Sequence, residues 1–180
     1  TELFCKCGDY LFFAVPGKEL WRTDGTSGGT ISLGDINKGF IQGFSGGMAC
    51  VNNTTLLFQA ADGQHGWELW TSDGTKAGTR MVKDITPNNN VSWGNFIPLG
   101  LIGNTYYFLT DHNYDKNLEL WKSDGTENTT VMVPDFPVFT SVFPVGKSDT
   151  HIFFRTTNSS TSENELWATD GTGTNTIKVL

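Results

Sequence analysis

Four stretches of this chain are variants of one phrase: Glu19-Leu20-Trp21-Arg22-Thr23-Asp24-Gly25-Thr26, Glu68-Leu69-Trp70-Thr71-Ser72-Asp73-Gly74-Thr75, Glu119-Leu120-Trp121-Lys122-Ser123-Asp124-Gly125-Thr126 and Glu165-Leu166-Trp167-Ala168-Thr169-Asp170-Gly171-Thr172. A further Thr follows at a constant distance, at Thr30, Thr79, Thr130 and Thr176. The first Glu recurs after 49, 51 and 46 residues. A period of this size is typical of propeller arrays, in which each repeat is one small sheet. The Asp-Gly pair within each phrase marks a tight hairpin, because Gly takes positive φ freely and Asp can bond the turn backbone.

Working outward, each phrase has an apolar run before it: Tyr10 to Val15, Leu56 to Phe58, Tyr106 to Leu109 and Ile152 to Phe154. Earlier still come Phe4 to Cys7, Met48 to Val51, Phe96 to Leu99 and Val142 to Val145. After the phrase lie Ile31 to Leu33, Arg80 to Lys83, Val131 to Val133 and Ile177 to Val179. This spacing predicts four strands in each of four repeats. The runs before the phrase are apolar at consecutive positions, which predicts strands buried on both faces. The expected fold is therefore all-β, a four-bladed β-propeller with blades at about 1–37, 38–86, 87–136 and 137–180. The alternative is half of an eight-bladed ring completed by a second chain. No strand crosses from one terminus into the other's blade, so an oligomer is expected.

Composition agrees. The 180 residues include 24 Thr, 13 Phe, 6 Trp and 21 Gly but 6 Ala, a balance that suits strands and turns and excludes a helical bundle. The formal net charge of −7 argues against nucleic acid, whose phosphates call for a basic face. Runs such as Leu11-Phe12-Phe13-Ala14-Val15 are too short to insert into a membrane as a helix.

The phrase and its surroundings resemble the ELWxxDGT repeats of secreted and surface proteins, whose repeats are thought to form propeller-like blades. The second copy, with Ala60-Ala61-Asp62-Gly63-Gln64-His65-Gly66-Trp67 before it and Lys83-Asp84-Ile85 after it, is the fullest match. The third departs at Asn128-Thr129 and carries Pro134 in its last strand. The resemblance implies a secreted, extracellular protein and a scaffold, and little about activity. The opening Thr1-Glu2-Leu3 reads as the start of a mature chain. Glycosylation acceptors occur at Asn53, Asn90, Asn128 and Asn158, with Asn52 a further match.

Repeated positions describe the scaffold, so a binding site is sought where the copies differ. The loop before the phrase is short in the first copy and long in the others. The long loops and the connections between repeats offer Asp62, His65, Trp67, Trp93, Asp111, Asn113, Tyr114 and Asp115. Carboxylates and amides bond paired hydroxyls, and an aromatic face covers the C–H side of a sugar ring. These residues point to a non-catalytic lectin for neutral sugars such as galactose, with several shallow sites and hence avidity. The architecture is similar to that of propeller lectins. The alternative is a protein-interaction or matrix module.

No catalytic residues are expected. There is no G-x-S-x-G, and Arg22, Arg80 and Arg155 are scattered over three repeats, unlike the arginine cluster of sialidases. No cofactor is expected, with calcium the one alternative left open. Asp111-His112-Asn113-Tyr114-Asp115 resembles half of a calcium loop, but Lys116 stands where Gly is required and Lys122 where Glu is required.

Alignment of the copies puts Cys5 and Cys50 at one position on the innermost strands, so an intrachain Cys5–Cys50 bridge is expected, with Cys7 left to link two chains. The rival pairing is Cys7–Cys50 with Cys5 free.

Overall fold

The computed structural model describes residues 4–15, 19–34, 36, 47–87, 96–113, 115–158 and 161–180. Sixteen strands form four antiparallel sheets of four strands, each sheet built from consecutive strands in chain order. The first repeat holds β1 (Phe4–Cys7), β2 (Tyr10–Val15), β3 (Glu19–Thr23) and β4 (Ile31–Gly34). The second holds β5 (Ala49–Val51), β6 (Thr55–Ala61), β7 (Trp67–Ser72) and β8 (Arg80–Lys83). The third holds β9 (Ile97–Ile102), β10 (Thr105–Thr110), β11 (Glu119–Ser123) and β12 (Val131–Met132). The fourth holds β13 (Phe143–Lys147), β14 (Ile152–Thr157), β15 (Asn164–Thr169) and β16 (Ile177–Lys178).

The chain divides into two compact units, Thr1–Gly94 with Gly125–Glu127, and Asn95–Asp124 with Asn128–Leu180. In the first unit, Cys7, Phe12, Leu20 and Leu33 of the first sheet pack with Leu56, Phe58 and Ala60 of the second. In the second unit, Tyr107, Leu109 and Leu120 pack with Ile152 and Phe154. Within each unit the two second strands therefore meet through alternate residues. Phe12 and Tyr107 look toward the following sheet, while Phe58 and Phe154 look back toward the preceding one.

Burial of the second strand on both faces holds for two repeats of the four. β6 and β10 are buried at consecutive positions. β14 alternates, and in β2 Leu11 is 40% exposed beside a buried Phe12.

The repeated phrase is a self-contained hairpin. Asp24 Oδ1 accepts from the Thr26 amide and hydroxyl at 2.9 and 2.7 Å. Asp73 holds Thr75, and Asp170 holds Thr172, in the same way. The residue before the Asp bonds the closing Thr: Thr23 with Thr30, Ser72 with Thr79, Ser123 with Thr130 and Thr169 with Thr176. Five residues after the Asp, Gly29 and Gly78 lie so close that a Cβ there would strike the Asp24 or Asp73 carboxylate at about 2 Å. The third and fourth repeats use polar side chains at this position instead. Thr129 donates its hydroxyl to Asp124 Oδ1, and Asn175 Nδ2 donates to Asp170 Oδ2 at 2.7 Å.

The bridge joins Cys7 to Cys50, with Cα atoms 5.2 Å apart, and Cys5 is free. This corrects the expected Cys5–Cys50 pairing and the interchain role of Cys7. The reason is register. Cys5 lies opposite Phe12, whereas Cys50 lies opposite Leu56, the equivalent of Leu11 rather than of Phe12. The true equivalent of Cys5 is Ala49. A one-residue slip reverses which face a side chain takes. Cys50 therefore looks back toward the first sheet, and Cys7, opposite Tyr10, looks forward to meet it.

Candidate functional site

The residues singled out in the loops are largely occupied in shaping those loops. Asp62 Oδ1 accepts from the amides of Gln64 and His65 at 2.8 and 2.9 Å, and its Oδ2 meets His65 Nδ1 at 2.6 Å. Burial pushes the Asp62 carboxyl upward, but the His65 ring and the two amides outweigh it and hold the carboxyl below its ordinary value. The hydrogen bond to Asp62 raises the His65 pKa. Trp67 opens β7 and pairs with Ala61. In the third repeat, Asp111 Oδ2 accepts from the Lys116 amide, Asn113 Nδ2 donates to Asp115 Oδ2, and Asp115 Oδ1 accepts from the Asn117 amide. Lys116, at φ 72°, occupies the left-handed conformation for which a Gly was expected. Among the described residues, no group of three or more His, Cys, Asp and Glu side chains is arranged to hold a metal ion. Trp93 and Tyr114, and the acceptor Asn90, lie outside the described residues.

The Glu that opens the phrase differs in role between copies. Glu68 is buried, and its carboxylate accepts from the Ile85 and Thr86 amides at 2.9 Å and from the Thr86 hydroxyl. It fastens the strand to the segment leaving the repeat. Burial pushes its pKa up to about 7 against these donors. Glu119 faces His112, whose Nδ1 lies 3.1 Å from Oε1.

Glu165 faces a groove. This concavity, of about 390 Å³, lies within the second unit, between the Pro137–Ser141 connection and one end of β14 and β15, the two central strands of the fourth sheet. Its walls include Phe139, Thr140, Thr156, Asn158, Glu165 and Trp167. Glu165 Oε1 accepts from Asn158 Nδ2 and from Lys178 Nζ, both at 2.9 Å, and Oε2 accepts from Trp167 Nε1 at 3.2 Å. The Asn158 amide, the Lys178 ammonium and the indole N–H pull its pKa down to about 2, so it is ionised at neutral pH. The Phe139 ring meets the Trp167 ring edge-on, with centroids 5.0 Å apart, which fixes the indole. Asn158 is itself anchored: its Oδ1 accepts from the Thr161 amide. The result is a fixed aromatic ring beside an ionised carboxylate, an amide and two threonine hydroxyls.

A second groove, of about 250 Å³, is lined by Asp115, Asn117, Glu119, Asp135 and Phe136 among others. Of the residues put forward from sequence, Asp115 lines this one. Asp62, His65, Trp67, Asp111 and Asn113 line neither groove. Glu165 and Trp167 were passed over because they belong to the repeated phrase.

Comparison with known proteins bears on the fold. The GH74 xyloglucanase from Xanthomonas campestris matches over 100% of this chain and 30% of its own, with 13% identity and a TM-score of 0.56. The chain is an all-β protein of the four-bladed propeller class. It spans less than a third of the length of that neighbour. An α-L-arabinofuranosidase from Clostridium thermocellum overlaps more loosely, with 14% identity over 97% of this chain and 70% of its own and a TM-score of 0.36. No family model matches the chain, and no curated protein matches its sequence.

Proposed function

We propose that this protein binds neutral carbohydrate, such as galactose or a related sugar, without transforming it, and that it works outside the cell. The supporting observation is the groove at Trp167. Sugar recognition needs an aromatic face for the ring's C–H side and fixed acceptors and donors for its hydroxyls. Glu165 Oε2 accepts one bond and keeps a further lone pair, Thr140 and Thr156 line the same groove, and the indole is held in place. The fold neighbour named as a xyloglucanase acts on a polysaccharide, which agrees with this reading. The Cys7–Cys50 bridge suits an oxidising compartment. Among the described residues no helix is long and apolar enough to cross a membrane.

The reading is tested by retention on immobilised monosaccharides. Wild type is expected to be retained on a neutral-sugar resin and released by the free sugar. Trp167→Ala should elute without delay, and Trp167→Phe, which keeps a ring, should be partly retained. Failure of the folded wild-type protein to bind any of a broad panel of neutral glycans would reject the proposal. Release of reducing ends from an oligosaccharide would reject its non-catalytic part.

A further inference from the structure

The two grooves of the second unit are neighbours. Val138 lines both and is 73% exposed. Asp135 and Phe136 line the smaller groove, and Phe139 and Thr140 the larger. The connection from the third sheet to the fourth therefore runs between them as a ridge, with Val138 on its crest. The ridge is pinned. The Leu118 amide donates to the Phe139 carbonyl oxygen at 2.8 Å, which ties the connection to the chain entering β11. Leu118 itself forms part of the smaller groove.

Each groove contains an aromatic ring, and one side chain sets both. Phe139 is buried. It meets Trp167 edge-on with centroids 5.0 Å apart, and Phe136 edge-on at 5.5 Å. The rings of Trp167 and Phe136 thus stand no further apart than those two spacings placed end to end. Phe136 also leans on Phe154, at 6.2 Å. Rings packed in this way cannot shift independently, so the two aromatic surfaces hold a fixed relation.

Polar groups are divided in the same way. Glu165 serves the larger groove, and Asp115, Asn117 and Asp135 serve the smaller. The Asn117 amide, donating to Asp115 Oδ1, holds the Asp115 carboxyl below its ordinary value. Among the described residues, neither groove is lined by Lys, Arg or His. Carboxylates in both would repel an acidic sugar. At about 250 Å³ the smaller groove is too small for a ligand of its own, against the roughly 300–1,000 Å³ of small-molecule pockets. It suits an extension of a ligand seated next door.

Resting on the carbohydrate reading of the Trp167 groove, we infer that the ligand is a neutral oligosaccharide, with one sugar against Trp167 and another sugar of the same chain reaching across Val138 onto Phe136. A monosaccharide fills only the first groove. A linked sugar gains the second contact as an intramolecular event, so affinity rises with chain length.

Calorimetric titration tests it, using the monosaccharide that releases the protein from its resin and the linear di-, tri- and tetrasaccharides of that sugar in each available linkage. Wild type should bind the best oligomer about tenfold tighter than the monosaccharide, or more, which exceeds the small statistical gain from repeating one sugar. The readout is the ratio of the two affinities within each protein, so a change that merely disturbs Trp167 cancels. Phe136→Leu keeps apolar bulk against Phe139 and Phe154 but removes the ring, and should bring the ratio most of the way toward one. Asn117→Ala alters the smaller groove without touching the aromatic packing, and should lower the ratio in part. Equal affinity of wild type for the monosaccharide and every oligomer would overturn this inference and leave the Trp167 site standing. A ratio unchanged in both variants would overturn it as well. Absence of binding by monosaccharide and oligomers alike would instead reject the carbohydrate reading, and this inference with it.

Discussion

Arg22 Nε donates to the Gly74 carbonyl oxygen at 2.5 Å, and the same guanidinium lies 3.9 Å from the centre of the Tyr10 ring. One arginine of the first repeat thus clasps the hairpin of the second. The contact works because residue 74 has no side chain and holds φ at 87°. A graded series follows for Gly→Ala substitutions, measured by urea unfolding in dilute protein. Gly25→Ala bears only backbone strain, about 1–2 kcal/mol. Gly74→Ala adds crowding against Arg22 and Tyr10 and should cost about 1 kcal/mol more. Gly171→Ala should be the worst, because its Cβ would overlap the Tyr107 ring at 2.4 Å. Equal effects at the three sites would contradict the seating of hairpins on the preceding sheet.

Glu68 makes stability depend on pH. Its folded pKa is raised from 4.5 to about 7 by burial. A raised carboxyl pKa means the folded state holds the proton more tightly than the unfolded state. The contribution is full below about pH 4.5 and is lost as pH rises through about 7. Its size is roughly 3 kcal/mol, from the per-unit value of a pKa shift. Glu68→Gln should remove this decline and match wild type near pH 5. Parallel pH profiles for the two proteins, followed by thermal melts, would show that Glu68 does not titrate in this range.

The Cys7–Cys50 bridge closes a loop of 43 residues in sequence separation. Chain-entropy reasoning gives a loss of about 4 kcal/mol when such a bridge is removed. Cys50→Ser should show that loss in denaturant unfolding, and Cys5→Ser should not. Denatured, unreduced wild type should carry one reactive thiol, at Cys5. Peptide mapping that found Cys5 linked to Cys50 would contradict the register.

Asn175 replaces a hairpin glycine with a side chain that bonds Asp170. Asn175→Ala should cost about 0.5–1.5 kcal/mol, the ordinary net value of one hydrogen bond. Gly78→Ala should cost more, because a Cβ there meets the Asp73 carboxylate at 2.1 Å. Thermal denaturation ranks the two.

The strands were legible because the repeated phrase fixes the third strand and its hairpin in every copy. Apolar runs on either side could then be counted off. The Asp residues fasten turns, as the sequence suggests: Asp24, Asp73 and Asp170 each bond the Thr two residues on, and Asp124 bonds Thr129. What escaped was carried by single-residue offsets and by context. Cys5 and Cys50 align if one counts from the ends of the short inner strands, and misalign by one when register is known. Leu11-Phe12-Phe13 reads like Leu56-Leu57-Phe58, and nothing in that local pattern tells that Leu56 packs against the first sheet. Glu165 and Trp167 look like scaffold in the alignment. They face the groove because the Pro137–Ser141 connection passes beside them, which no local pattern records.

The carbohydrate reading stands most directly on a crystal structure of the protein soaked with a neutral sugar that it retains on a resin. The expected result is a sugar ring lying against the Trp167 indole, with hydroxyls bonded to Glu165 and to the Thr140 or Thr156 hydroxyl. A sugar bound elsewhere, with the Trp167 groove holding only water, would contradict it.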